Sequence, residues 1–140
     1  MQGALIFGND GDTVEKLQKR ADYMIHHGGI DIMQTTFLTP LPGTRLFDRY
    51  QREGRLLYTN YPQDWEHYDM TEVIFRPGSL EPVQLQQTME SLNRQMYILP
   101  VLLRKALNTF WKTRNMIATM FAWNSNINYR NVSRNISRPI

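Results

Sequence analysis

Few residues of this chain are of a type and spacing that does chemistry, and the most informative are two polar side chains, Gln34 and Thr36, inside an apolar run. Residues 30–38 (IDIMQTTFL) read as a strand, and its period of two puts Gln34 and Thr36 on the same side as Ile32 and Leu38. Polar groups on a buried strand need partners. Those partners are substrate, cofactor or water if the strand lines a ligand cavity, or the core itself if the groups are satisfied internally, and the residues leave both readings open. The turn Gly8-Asn9-Asp10-Gly11-Asp12 follows a strand and precedes a helix, where helix N-terminal amides would meet a phosphate. It lacks the G-x-G-x-x-G spacing and its two aspartates repel phosphate, so a plain βα turn is expected. The loop Thr39-Pro40-Leu41-Pro42-Gly43-Thr44 leaves the carboxyl end of the second strand, where parallel βα folds place their ligands. Its prolines make it rigid, and Pro-Gly-Thr is also ordinary turn chemistry.

The composition removes several chemistries. The chain has 140 residues and no cysteine, which excludes disulfides, thiolate metal ligands, cysteine nucleophiles and cysteine-held clusters within it. The three histidines are His26, His27 and His67. Neighbours on a helix point about 100° apart, so His26 and His27 make no two-ligand face, and no metal site is expected. No run of about 18 apolar residues exists and the N-terminus lacks a secretory pattern, so neither a membrane span nor export is expected and the expected address is cytoplasmic. The Asn-X-Ser sequons at Asn131 and Asn135 then carry no meaning.

The net charge of +3 hides an asymmetry. Residues 1–90 carry eight Lys/Arg against thirteen Asp/Glu, a balance of −5, whereas residues 91–140 carry eight Lys/Arg and no acid, a balance of +8. Three readings suit the basic part: a solvated helix face, peripheral contact with anionic lipid, since Phe110, Trp111, Phe121 and Trp123 interleave with the cations, or a nucleic-acid surface. The last is disfavoured because no nucleic-acid motif is present.

Elements that position these residues follow from periodicity. Residues 3–8 (GALIFG) form a short buried strand. Asp12-Thr13-Val14-Glu15 carries a helix-start signature, with Leu17, Ala21 and Met24 at helical spacing and a stop at Gly28-Gly29. Strand, helix and strand make a βαβ unit, and two parallel strands need further strands and cover on both faces, so the pair reads as part of a larger sheet or barrel. Thr44 caps a short helix through Leu46, Phe47 and Tyr50 to Gly54. Residues 58–70 are an aromatic connection, read either as a cover over a substrate or as a clasp holding the C-terminal helices, the clasp being favoured. Val73-Ile74-Phe75 reads as a short strand. Pro82 opens a helix with Leu85, Met89, Leu92, Met96 and Leu99 on one stripe. Beyond Pro100 a kinked or two-part basic helix is expected, with Leu103, Leu107, Phe110, Ile117 and Phe121 as its stripe and Trp111, Lys112 and Arg114 elsewhere. Residues 124–140 lack apolar periodicity and read as a poorly ordered basic tail.

In sequence order, LIFGNDGDT, a helix, GGIDIMQTTFLTPLPGTRLF, EGRLLY, D-W-E-H-Y-D and V-I-F-R-P resemble the last barrel repeats and the start of the helical extension of radical S-adenosylmethionine (SAM) enzymes of the cobalamin-binding type, over residues 3–95. The resemblance implies a partial TIM-like barrel in which SAM lies across the carboxyl ends of the strands and is cleaved reductively by a [4Fe-4S] cluster. The fifth strand of such barrels carries G-x-I-x-G-x-x-E; Ile6 and Gly8 match it, while Ala4 and Gly11 depart from it and are not carried over. The end of the sixth strand, which lies against adenine in such enzymes, corresponds to Leu38 and Thr39. The resemblance thus makes Ile6, Gly8, Leu38 and Thr39 the cofactor-binding residues, with Gln34 and Thr36 facing substrate. The cluster's Cys-x-x-x-Cys-x-x-Cys and the cobalamin-binding domain have no counterpart here.

The expectation is therefore an α/β chain, the C-terminal fragment of a partial (βα) barrel followed by a helical extension. Residues 1–57 supply the last βα units, 58–123 the aromatic segment and helices, and 124–140 the tail. It forms part of the adenine site of an enzyme acting on a small-molecule or lipid-like substrate, is inactive alone, and has the rest of the same enzyme as its partner, with peripheral contact to the inner face of the membrane. The alternative is a non-enzymatic α-rich module whose basic helices bind a membrane or a protein.

Overall fold

The computed structural model describes residues 1–135. In chain order these form β1 (Gln2–Phe7), α1 (Val14–His26), β2 (Ile32–Phe37), α2 (Arg45–Arg52), a 3-10 turn (Gln63–His67), α3 (Pro82–Met96), α4 (Leu99–Thr113) and α5 (Met116–Asn135). β1 and β2 run parallel, Gln2 opposite Ile32 through Phe7 opposite Phe37, and make a two-stranded sheet. The βαβ unit is thus present, in a mixed α/β fold with five α-helices among the described residues.

Element boundaries have local causes. Thr13, not Asp12, caps α1, its Oγ1 accepting from Lys16 N at 3.3 Å. Thr44 caps α2 as its position anticipates, accepting from Phe47 N at 3.2 Å, and Gly54 follows that helix at φ 64°. Pro82 and Pro100 each sit in the first turn of a helix, where a missing N–H costs nothing, so Pro100 starts α4 rather than kinking a longer helix. Arg114, left-handed at φ 51°, ends α4 before α5 begins.

One face of the sheet carries the core. Leu5, Phe7, Met33 and Phe37 pack with Leu17, Ala21 and Met24 of α1 and with the α3 stripe Leu85, Met89, Leu92 and Met96. A second cluster, Tyr50, Ile74 and Phe75, lies under Leu38, Leu46, Leu56, Tyr58 and Tyr68.

Four expectations are corrected. Leu103, Leu107, Ile117 and Phe121 do not form an inward stripe but are 52, 60, 80 and 66% exposed. The inward face of α4 is instead Val101, Leu102, Lys105 and Thr109: the first two join the core, Lys105 donates to carbonyls at and beyond the end of α1, and Thr109 donates to Asp31. Residues 124–135 continue α5 rather than forming a tail, held by Trp123, Ile127 and Tyr129 against the core and by the buried Asn126; the remainder of the expected tail lies outside the described residues. Val73-Ile74-Phe75 makes no strand, only one antiparallel bridge between Phe75 and Leu56. The aromatic rings of residues 58–68 stack within the segment, Tyr58 on His67 and Tyr61 on Trp65, and Tyr61 lies tilted 6.4 Å from Phe47 of α2, so their ring contacts are with one another and α2 rather than with the C-terminal helices.

The two edges of the sheet differ. On β2, four of the backbone groups pointing away from β1 are taken by other elements: Asn126 donates to Asp31 O and accepts from Met33 N, Tyr97 Oη donates to Met33 O at 2.8 Å, and Phe37 N donates to Met70 O at 3.1 Å. No second strand pairs with β1 among the described residues. The β2 edge is thus occupied at both ends by α5, Tyr97 and Met70, whereas the β1 edge is open.

Candidate functional site

The sheet face opposite the core is covered at its amino end, where Ile32 is buried, and open from there toward the carboxyl end. Gln2, Ala4 and Ile6 are exposed there, and Gln34 and Thr36 are half-buried. Register sets Ala4 beside Gln34 and Ile6 beside Thr36. Side-chain alternation puts all of these on one surface, and Gln2 Nε2 donates to Gln34 Oε1 at 2.6 Å. An aliphatic side chain 46% exposed at Ile6, flanked by a hydroxyl and an amide, presents an apolar plate with polar groups at its border.

The other residues singled out from the sequence sit at the carboxyl end of the strands, engaged with protein. Gly8 has φ 103°, and a Cβ there would lie 2.8 Å from Phe75 Cζ, so packing alone demands glycine. Leu38 packs on the Tyr50 cluster and its N–H donates to Phe7 O at 2.8 Å. Thr39 Oγ1 donates to Phe37 O at 3.3 Å. The structure brings Ile6, Gln34 and Thr36 together on one surface and places Gly8, Leu38 and Thr39 along its rim.

The turn after β1 is built by its two aspartates. Asp12, 2% exposed, accepts from Gly8 N at 3.1 Å and Asn9 N at 3.0 Å and pairs with Arg20 at 2.8 Å. Asp10 pairs with Arg55 at 2.5 Å and Arg49 at 3.0 Å, and its backbone carbonyl accepts from Ser79 Oγ at 2.7 Å. The Arg55 guanidinium also stacks 4.0 Å from the Tyr50 ring centroid. Hydrogen bonding from Arg55 holds the Asp10 carboxyl below its ordinary value, and Arg55 is raised in turn. The two aspartates and their arginines thus tie the turn to α1, α2 and Arg55. The sequence marked the aspartates as phosphate repellents and Asp12 as part of a helix start, and nothing local in it showed that Arg20, Arg49 and Arg55 would fold onto them.

Next to this rim, Tyr58 stacks on His67 at 3.9 Å and Tyr61 on Trp65 at 4.2 Å, while the Tyr61 and Tyr68 hydroxyls meet at 2.7 Å. Burial, with the Tyr61 hydrogen bond, raises Tyr68 above its ordinary value. Among the described residues no three His, Cys, Asp or Glu side chains are grouped to hold a metal ion, and no helix is long and apolar enough to cross a membrane.

Comparison with known proteins gives one relationship to report. The chain is 23% identical over 121 residues to bacteriochlorophyllide d C-8(2)-methyltransferase of Chlorobaculum tepidum, a match that covers 86% of this chain and 26% of that protein. The chain therefore spans about a quarter of the length of the curated relative it matches. No family model matches the chain and no solved structure matches it.

Proposed function

We propose that this chain is the C-terminal portion of a radical SAM enzyme of the cobalamin-binding type, supplying the last two strands of a partial barrel and one wall of the SAM site. One observation carries the proposal: the sheet is occupied at both ends of its β2 edge, open beyond β1, and open on the part of its face that holds Ile6, Gln34 and Thr36. A sheet of that form accepts further strands on the β1 side only, which is how the final strands of a barrel extend earlier ones. The likeness to a methyltransferase over most of this chain points the same way and favours methyl transfer as the reaction.

In this reading Ile6 lies under the adenine ring of SAM, and backbone at Gly8, Leu38 and Thr39 borders it. Gln34 and Thr36 offer an amide and a hydroxyl to ribose or to a small-molecule or lipid-like substrate. The [4Fe-4S] cluster supplies the electron that cleaves SAM, and this chain has no residue to ligate it, having no cysteine. The role left to these residues is to bind and orient the adenosyl end and exclude water from it.

The reading frame upstream of Met1 tests this. Further βα repeats and a cysteine triad in frame are expected, and the protein encoded by that frame should release 5′-deoxyadenosine from SAM under reducing conditions. A genuine start at Met1, with nothing in frame before it, would overturn it in favour of a binding module.

A further inference from the structure

The outward face of the α4–α5 hairpin is apolar where the sequence led us to expect charge. On α4, Leu103, Leu107 and Trp111 recur every fourth residue and are 52, 60 and 65% exposed; across the turn, Met116, Ile117, Met120 and Phe121 are 58 to 80% exposed. A spacing of four residues keeps them on one side of the helix. Farther along the exposed side of α5 the residues become Asn124, Asn128 and Asn131. The apolar surface is therefore concentrated at the hairpin end and gives way to amides along α5.

The charge around it is of one sign. No Asp or Glu occurs from residue 91 onward. Arg104 and Lys112 donate to the backbone carbonyls of Ile25 and Gly28, not to carboxylates, and the Arg114 guanidinium lies 5.6 Å from the Trp111 ring centroid. Among the described residues neither Arg104 nor Lys112 forms an ion pair, the nearest carboxylate to Lys112 being Asp31, and Lys112 and Arg114 flank the turn itself. Lys112 and Asn108 both reach Gly28, before the start of β2, so the hairpin end lies at the amino end of the strands, away from the carboxyl-end rim.

We propose that this hairpin end docks on a bilayer surface containing anionic lipid, Trp111, Ile117 and Phe121 entering the headgroup boundary while Lys112 and Arg114 meet lipid phosphates. Exposed tryptophan and phenylalanine interleaved with cations are the composition of an interfacial helix. A second copy is a poor occupant, because a two-fold contact would set Lys112 and Arg114 of both copies against each other. The proposal stands independently of the chemistry at the sheet.

Vesicle flotation of the full chain tests it. Binding is expected to vesicles of phosphatidylcholine with about a third phosphatidylglycerol, and to fall at least tenfold with phosphatidylcholine alone or in about 0.5 M NaCl. Trp111→Ser combined with Phe121→Ser should lower binding at least tenfold, and Arg114→Ala about fivefold, from the usual worth of one basic residue at an anionic surface. All three side chains are exposed, so melting temperatures should not change; Asn124→Ser, outside the apolar patch, should bind as the parent does. Equal flotation with neutral vesicles, or binding untouched by the Trp111 and Phe121 changes, would overturn the proposal. So would sedimentation showing a dimer that the same changes dissolve without any vesicle binding, which would assign the face to a second copy.

Discussion

The side-chain amide of Asn126 pairs with Met33 as a neighbouring strand would, its Oδ1 accepting from Met33 N at 3.0 Å while its Nδ2 donates to the carbonyl of Asp31 at 2.8 Å. A helix residue thereby ends the sheet. Asn126→Ala leaves a buried N–H and a C=O without partners, at about 1–3 kcal/mol each, so a loss of about 2–4 kcal/mol is expected in urea unfolding. Asn126→Asp keeps the acceptor, loses the donor, and sets a carboxylate against the Asp31 carbonyl, so it should also destabilise. A change below about 0.5 kcal/mol for Asn126→Ala would show that the edge is not sealed in this way.

Lys105 does the corresponding work at the end of α1. Its buried Nζ donates to Met24 O at 2.6 Å, Ile30 O at 2.8 Å and His27 O at 3.1 Å, where the helix dipole favours a cation. Lys105→Met keeps the apolar stem and strands these carbonyls, so a loss of about 2–3 kcal/mol is expected. Burial, with Arg104 nearby, pulls the ammonium down from 10.5 to about 8. Between those values the unfolded chain binds more protons, so stability contributed at this site rises with pH from about 8 toward 10.5. Tyr68 and Tyr97 oppose this above their ordinary value of 10.0: raised in the fold, they hold protons the unfolded chain has lost, and stability falls there. Melting curves from neutral pH upward should show the rise in the parent chain and its absence in Lys105→Met.

Acid should act through Asp10. Its pairing with Arg55 lowers its carboxyl below 3.8, so the stability it contributes is present above that value and is lost as pH falls below it. Asp10→Asn removes the pairing at all pH values, so its urea midpoint should lie below the parent's at pH 6, with the gap narrowing as pH falls below 3.8. Parallel curves would mean that Asp10 is not held by the arginines in solution.

These residues show what was legible in the chain. The βαβ unit, the Thr44 cap and the α3 stripe were readable because the residues that fix them lie within one or two turns of each other. Asn126 was read as part of a polar tail, since the groups it satisfies are more than 90 residues away. The α4 stripe misled for a similar reason: apolar periodicity marks a face without saying which side it is on. Here the carbonyls at the end of α1 draw Lys105 inward, Asp31 draws Thr109, and the leucines turn out. At the candidate site, alternation along β2 grouped Gln34 with Thr36, but the openness of that face depends on the whole arrangement of α1, α3 and α5.

Ile6 and Gly8, two residues apart on β1, should separate function from folding. Ile6 is 46% exposed on the open face, so Ile6→Asp costs little packing but puts a carboxylate where the proposed function lays an adenine ring. In the protein encoded by the complete reading frame, SAM affinity by calorimetry is expected to fall at least tenfold with melting temperature nearly unchanged. Gly8→Ala meets the opposite constraint: φ 103° is strained for alanine, and its Cβ would sit 2.8 Å from the Phe75 ring. A loss of about 2 kcal/mol or more in stability is expected, with any loss of SAM binding recovered when the protein is assayed well below its melting point. If Ile6→Asp binds SAM as the parent does, the open face is not the adenine wall. If it melts as early as Gly8→Ala, that face is covered in the assembled enzyme by protein rather than by ligand.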